Sequence, residues 1–291
     1  MIKCLVCDLD GTLIKYDDTI EPHTYNKLKE CFDKGIELII ATGRDINMVI
    51  DFLDEYQLNC DLILNNGTQY RNREGTFNEI YPMDTQSFLK ISHILDDYGY
   101  LLAIHTNQGK YSLVDQEEFW KRHIQLLLKN PKYTHESELP QKTFTTRRGY
   151  LRDFHYARTP EDIIEQGIKV LKIDARHIDM NSIAGVKEKL NIDHLDISSS
   201  YEDNIEITTD QYNKGSMLSH VIEKKGYQDD EVAVFGDGLN DVGMLERFPY
   251  SFAPMNASVD AKKAAAYQLT KTDETGAVGE GIEILEKLNL I

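Results

Sequence analysis

Asp8 and Asp10 stand two residues apart at the end of an apolar run, Ile2 to Cys7, and Gly11 follows at once. Along an extended backbone, residues two apart point to the same side, so both carboxylates face one way. The glycine lets the chain turn sharply and bring backbone N–H groups close to a ligand. Two acids on one side of a turn suit a hard divalent cation such as Mg2+. That ion prefers oxygen ligands, binds through one or two carboxylates, and leaves its other positions to water and a substrate phosphate. Asp and Gly are also ordinary turn residues, so the rest of the chain must decide between a metal-binding turn and a plain one.

The run before Asp8 reads as a strand buried on both faces, the kind found inside a parallel sheet. Three later segments repeat its grammar. Ile36 to Ala41 reads as a strand ending in Thr42-Gly43-Arg44, Asp61 to Leu64 as one ending in Asn65-Asn66-Gly67, and Glu231 to Phe235 as one ending in Gly236-Asp237-Gly238, with Asn240 and Asp241 just beyond. Helical stretches at Pro22 to Lys34 and Asn47 to Tyr56 separate the first three. This alternation predicts an α/β fold, a Rossmann-like, doubly wound parallel sheet with helices on both faces. Ligands bind such sheets outside the carboxyl ends of the strands, where Asp8, Thr42, Asn66 and Asp237 would meet.

Between about residues 83 and 207 the pattern changes. Helical stretches (Thr85 to Tyr98, Gln116 to Lys129, Ser182 to Leu190) alternate with strand-like runs that do not end in acidic turns. The expected organisation is a catalytic α/β core from residues 1–82 and 208–291, with residues 83–207 inserted as an α+β cap.

If the strand ends meet, Asp8 is placed to attack phosphorus in line and form an aspartyl-phosphate. A carboxylate approaching a phosphate dianion needs positive charge and oriented donors around it. Mg2+ held by Asp8, Asp237 and a backbone carbonyl near Asp10 would answer that need, together with Lys214, the Thr42 hydroxyl and loop N–H groups such as those of Gly11 and Gly43. Lys214 opens a helix, where the macrodipole disfavours a cation, and a phosphate bound there would explain it. Asp10 is placed to protonate the leaving oxygen and later to activate water. Asp241 suits a supporting role, holding Lys214 or a metal-bound water. Arg44, beyond Thr42 at a strand end, is expected to face the cleft.

Asp8-Leu-Asp-Gly-Thr-Leu13, Ala41-Thr-Gly-Arg44, Asn213-Lys-Gly215 and Gly236-Asp-Gly-Leu-Asn-Asp241 resemble, in order, the four signature motifs of the haloacid dehalogenase superfamily. The long insertion between the second and third motifs resembles the cap of its Cof-type branch. The resemblance implies a Mg2+-dependent phosphatase of sugar phosphates and other small phosphorylated metabolites. It makes Asp8 the nucleophile, Asp10 the general acid/base, Thr42 and Lys214 phosphate ligands, Asp237 a metal ligand and Asn240 a further donor to the phosphate. Dehalogenation needs neither the second acid nor a metal, so Asp10 points to phosphate chemistry. A sugar phosphomutase is the nearest alternative reaction, and a switch protein phosphorylated on aspartate the nearest alternative that is not an enzyme. Where the branch has a Met-Gly-Asn-Ala turn, this chain reads Ala253-Pro-Met-Asn-Ala257.

The composition narrows the partners. A net charge of −17 over 291 residues repels nucleic acid and anionic membrane, leaving a small anion drawn in by local positive charge. No run of about 18 apolar residues is present and the N-terminus lacks a signal-peptide pattern, so a cytoplasmic protein is expected. Cys4, Cys7, Cys31 and Cys60 show no disulfide spacing, and the first pair falls on opposite faces of a strand. Nine histidines show no metal-ligand spacing, although His105 and His155 are candidates to line a pocket. Trp120 reads as a packing residue, and Arg147, Arg148 and Arg152 as a solvated basic loop.

Overall fold

Cys4, Leu5, Val6 and Cys7 are all fully buried, which follows from their place in the middle of a sheet covered on both faces. The computed structural model describes residues 1–130, 132–179, 185–186, 189–190, 192–198 and 204–291. The chain first lays down β1 (Cys4–Cys7), β2 (Glu37–Ala41), β3 (Asp61–Leu64), β4 (Gln69–Arg71) and β5 (Asn78–Ile80). It then builds a second sheet from β6 (Leu101–Thr106), β7 (Gly109–Ser112), β8 (Phe154–Tyr156), β9 (Val170–Arg176), β10 (Leu195–Ser198) and β11 (Asn204–Thr209). Finally it returns to the first sheet with β12 (Val232–Phe235), β13 (Tyr250–Ala253) and β14 (Tyr267–Gln268).

The first sheet has the order β14-β13-β12-β1-β2-β3-β4-β5. Its strands from β14 to β3 run parallel, and β4 turns back antiparallel on β3. Helices Pro22–Asp33 and Ile46–Glu55 connect β1 to β2 and β2 to β3. These are the α/β elements expected from the alternation, with ends shifted by a residue or two. The short β4–β5 pair was not expected, because its residues are few and mostly polar.

The chain divides into two compact units, one of residues 1–44, 52–79 and 212–291 and the other of residues 45–51 and 80–211. From the sequence, the crossings are expected at 82/83 and 207/208, with 45–51 in the first unit. The expected helix at 182–190 lies largely outside the described residues, as does Ser199, the last residue of the strand-like run expected from Leu195.

The second unit holds the other sheet, in the order β10-β11-β9-β6-β7-β8. It is antiparallel except for the β7–β8 pair. Leu102, Ile104, Ile173, Ala175, Ile205 and Ile207 pack on one face with Phe88, Ile91 and Leu95 of helix Thr85–Asp97. By alternation the neighbouring residues point the other way. There, Leu101 and Ala103 meet Phe119, Trp120 and Tyr150, so Trp120 is a packing residue. Lys172 and Glu206 are also buried and lie 2.8 Å apart. His105 is buried with its Nδ1 2.8 Å from an Asp45 carboxylate oxygen, and His155 stacks on Tyr111. Arg147 pairs with Glu117 and Arg152 with Asp51. All four cysteines are buried and free. Among the described residues no helix is long and apolar enough to cross a membrane.

His123 carries a pH dependence of stability. It is fully buried, stacks on Tyr150 at 4.3 Å between ring centroids, and lies with its Nε2 2.7 Å from the Phe144 carbonyl. Burial, reinforced by Arg176, pushes its pKa down to about 3. The unfolded chain takes up this proton near pH 6.5 and the folded chain does not, so stability falls as pH drops below that point. The loss approaches ~1.4 kcal/mol per pH unit until the folded ring titrates. Urea unfolding at pH 7.5 and pH 5 should therefore show a larger difference for the natural chain than for His123→Gln. Equal differences would mean that the ring charges as freely in the folded protein as in the unfolded one.

Candidate active site

Strand register brings the candidate residues to one edge. Cys7 is level with Ile40 on one side and with Phe235 on the other, so Asp8, the Ala41–Thr42 step and Gly236–Asp237 leave the sheet together. From β1 the chain goes to β2 on one side and later fills β12 on the other. The strand order therefore reverses between β1 and β12, and such a reversal opens a crevice where ligands bind. Asp8 and Asp237 stand on its two sides.

Asp8 is 5% exposed, and its N–H donates to the Phe235 carbonyl at 2.9 Å. Lys214, the first residue of helix Lys214–Lys225, donates from Nζ to Asp8 Oδ1 at 2.5 Å and to Asp241 Oδ1 at 2.8 Å. The other Asp241 oxygen accepts the backbone N–H groups of Asp237 and Gly238 at 3.0 and 2.8 Å. Thr12 donates its hydroxyl to Asp237 Oδ1 at 3.0 Å. Gly11 is required where it stands: its φ is +83°, and a Cβ there would fall 2.6 Å from Asp237 Oδ2. The carbonyl of Gly11 accepts the side-chain amide of Asn256 at 2.7 Å, so the loop in which Pro254 and Met255 replace the family's Met-Gly still fastens the first turn.

Asp8, Asp237 and Asp241 form the one metal-competent acidic group among the described residues, each offering an oxygen within 4.8 Å of the others. Burial, followed by the neighbouring acids, raises the pKa of Asp8 despite Lys214. Burial and Asp241 push Asp237 up to about 6. Lys214 is held charged above its ordinary range, because Asp241 and Asp8 outweigh the burial that opposes it. Two buried carboxylates, Asp8 and Asp241, and the half-buried Asp237 around one ammonium leave an excess of negative charge. A divalent cation fits that donor set, being all oxygen and short of positive charge.

Asp10 is placed differently. Its carboxylate is held by Arg44, whose Nε and Nη2 donate to the two oxygens at 2.9 and 2.6 Å. Arg44 is only 3% exposed and also donates to Asp18 at 2.6 Å. Asp10 and Asp18 together outweigh the effect of burial and raise the pKa of the guanidinium. Thr42 is buried, and its hydroxyl accepts the Arg44 N–H at 3.2 Å. The turn after β3 closes the site, with Asn65 and Asn66 both at positive φ (52° and 59°). Asn240 donates to the Asn66 side chain at 3.2 Å.

A family model described as haloacid dehalogenase-like hydrolase matches residues 5–282. The chain belongs to the haloacid dehalogenase-like hydrolases. This hydrolase is 25% identical over 283 residues to a 5-amino-6-(5-phospho-D-ribitylamino)uracil phosphatase, YcsE, of Bacillus subtilis, covering 97% of this chain and 94% of that one. It is 25% identical over 284 residues to the pyridoxal phosphate phosphatase YbhA of Escherichia coli, covering 96% and 97%. A solved haloacid dehalogenase-like hydrolase from B. subtilis superposes with a TM-score of 0.84 at 24% identity, over 98% of this chain and 100% of that one.

Sequence reasoning missed Thr12, Asp18 and Gly67 in this hydrolase. Thr12 lies inside a motif already singled out, and its hydroxyl next to paired acids was a readable signal. Gly67 lies in the Asn65-Asn66-Gly67 turn already noted, but its close neighbour, the Asn213–Lys214 backbone, is far away in sequence, and Asp18 gave no signal because its partner is Arg44.

Proposed function

We propose that this hydrolase is a cytoplasmic, Mg2+-dependent phosphatase of small phosphorylated metabolites, sugar phosphates foremost, acting through an aspartyl-phosphate on Asp8. The observation that carries this reading is Asp8 at the switch point of the sheet, with the Lys214 ammonium 2.5 Å from its Oδ1 and Asp237 across the crevice. The phosphatase names of YcsE and YbhA support it.

In the first half-reaction an Asp8 oxygen bonds to phosphorus as the bond to the leaving oxygen breaks, and Asp10 gives that oxygen its proton. In the second, Asp10 takes a proton from water, whose oxygen bonds to phosphorus while the bond to Asp8 breaks. Lys214, Thr42 and Asn240, with the N–H groups of Gly11 and Gly43, are assigned to the phosphoryl oxygens, whose charge must be met in both halves. Asp8 and Asp237, with Asp241 beside them, would hold Mg2+ together with the Asp10 carbonyl, and the ion would supply positive charge opposite the phosphate. Residues 83–207 are assigned to choosing the leaving group.

The test is phosphate release from a panel of sugar phosphates, nucleotides, phosphorylated cofactors and an aryl phosphate, with Mg2+ or with chelator. Release that chelator abolishes and Mg2+ restores is expected, with sugar phosphates ranked high. Isomerised sugar phosphate with almost no free phosphate would replace this reading with a phosphomutase.

A further inference from the structure

Arg44 is bound on both sides by acids of its own chain. One is Asp10; the other, Asp18, belongs to none of the motifs. Asp18 sits in a tight turn between Ile14 and Ile20, which pair as an antiparallel bridge and are both buried. Lys15 N–H donates to the Thr19 carbonyl at 2.8 Å and Asp18 N–H to the Lys15 carbonyl at 3.0 Å. Asp17 accepts the Thr19 N–H at 3.2 Å. Asp18 itself has φ +63°, a left-handed conformation that Asp and Asn adopt more readily than most residues.

This turn presents the Asp18 carboxylate to Arg44. The side chain is 15% exposed, against 44% for Asp10. Arg44 Nη2 thus donates 2.6 Å to Asp18 and 2.6 Å to Asp10, while Nε takes the second Asp10 oxygen. The Asp10 side chain is itself half-exposed. The planar guanidinium fixes both its oxygens, and Asp18 in turn fixes the guanidinium.

We infer that Asp18 is a positioning residue, which holds Arg44 so that Arg44 holds the Asp10 carboxyl in register with the leaving oxygen. The inference rests on the acid/base role proposed for Asp10 and adds the two residues that orient it. Orientation of a general acid matters in proportion to how much the leaving group needs a proton. An alkoxide must be protonated as it departs, whereas p-nitrophenolate leaves well without help. Loss of Asp18 should therefore discriminate between substrates, which a general loss of folding or phosphate binding would not do.

The test compares the full-length natural chain, Asp18→Asn and Asp10→Asn in kcat/KM, which reports the phosphorylation half-reaction. The substrates are an alkyl phosphate taken from the active members of the panel and p-nitrophenyl phosphate. Asn suits the left-handed backbone at position 18, so the turn is kept while the charge is removed. The expected result is a loss on the order of tenfold or more for the alkyl phosphate and about twofold or less for the aryl one, with the protein still folded at the assay temperature. Asp10→Asn should show the same pattern, only larger. If Asp10→Asn discriminates and Asp18→Asn either changes nothing or slows both substrates equally, the positioning role is overturned and the acid/base reading stands. If Asp10→Asn slows both equally, the acid/base reading fails, and the positioning role fails with it.

Discussion

Asp8→Asn is expected to reduce phosphate release by about a thousandfold or more while leaving the fold intact. The amide is nearly the same size as the carboxylate, but it lacks the charge and lone-pair basicity that displacement at phosphorus requires. The stability half of the expectation comes from the charge count. Asp8 stands with the buried Asp241 and the half-buried Asp237 around Lys214, and burial, followed by those two acids, raises its pKa. Removing one negative charge relieves that repulsion, and Lys214 keeps Asp241 at 2.8 Å. The melting temperature without metal should therefore hold or rise. Residual turnover well above one thousandth of the natural rate, with the protein folded, would place the nucleophile elsewhere.

Gly67→Ala should unfold the site from behind. Gly67 has φ +101°, and a Cβ there would fall 2.2 Å from the Asn213 carbonyl carbon and 2.6 Å from the Lys214 nitrogen. Both neighbours are backbone, so neither can swing aside as a side chain would. Relief requires the start of helix Lys214–Lys225 to move, and with it the ammonium between Asp8 and Asp241. Backbone strain and overpacking together cost roughly 2–5 kcal/mol. For a chain of this size that is a fall in Tm on the order of 10 °C. Turnover should fall as well, because Lys214 leaves its place. A variant with normal Tm and normal turnover would show that the turn and the helix can part without consequence.

Gly67 also marks where reading the sequence stops. The four parallel strands β12, β1, β2 and β3 were legible because each is a short, largely buried apolar run that ends in a polar turn. The motifs were legible for the same reason: Asp8 and Asp10, or Asp237 and Asp241, lie within a few residues of each other, and local spacing is what a sequence displays. Cys4 and Cys7, too, could be read as buried residues from their place in an apolar strand. The hairpin of β4 and β5 escaped, being two strands of three residues each with little apolar signal.

Arg44 shows the remaining limit. Its position after Thr42 put it at the strand end, as the sequence implied, but its surroundings could not be read from that. The sequence suggests a cation facing the cleft for an incoming anion, whereas the fold surrounds it with Asp10 and Asp18 and buries it to 3% exposure. The same holds for Asp241, which joins Asp8 and Asp237 in the acidic group while the Asp10 carboxylate turns to Arg44.

By itself, then, the sequence determined which residues sit at the carboxyl ends of which strands, the family, and the class of chemistry those residue types permit. Only the tertiary structure decided which charge faces which. Coulomb energy and hydrogen bonding depend on distances of a few ångströms between side chains that are tens to hundreds of positions apart, such as Lys214 and Asp8 or Arg44 and Asp18. Those distances are set by strand register and the path of each turn, not by spacing along the chain.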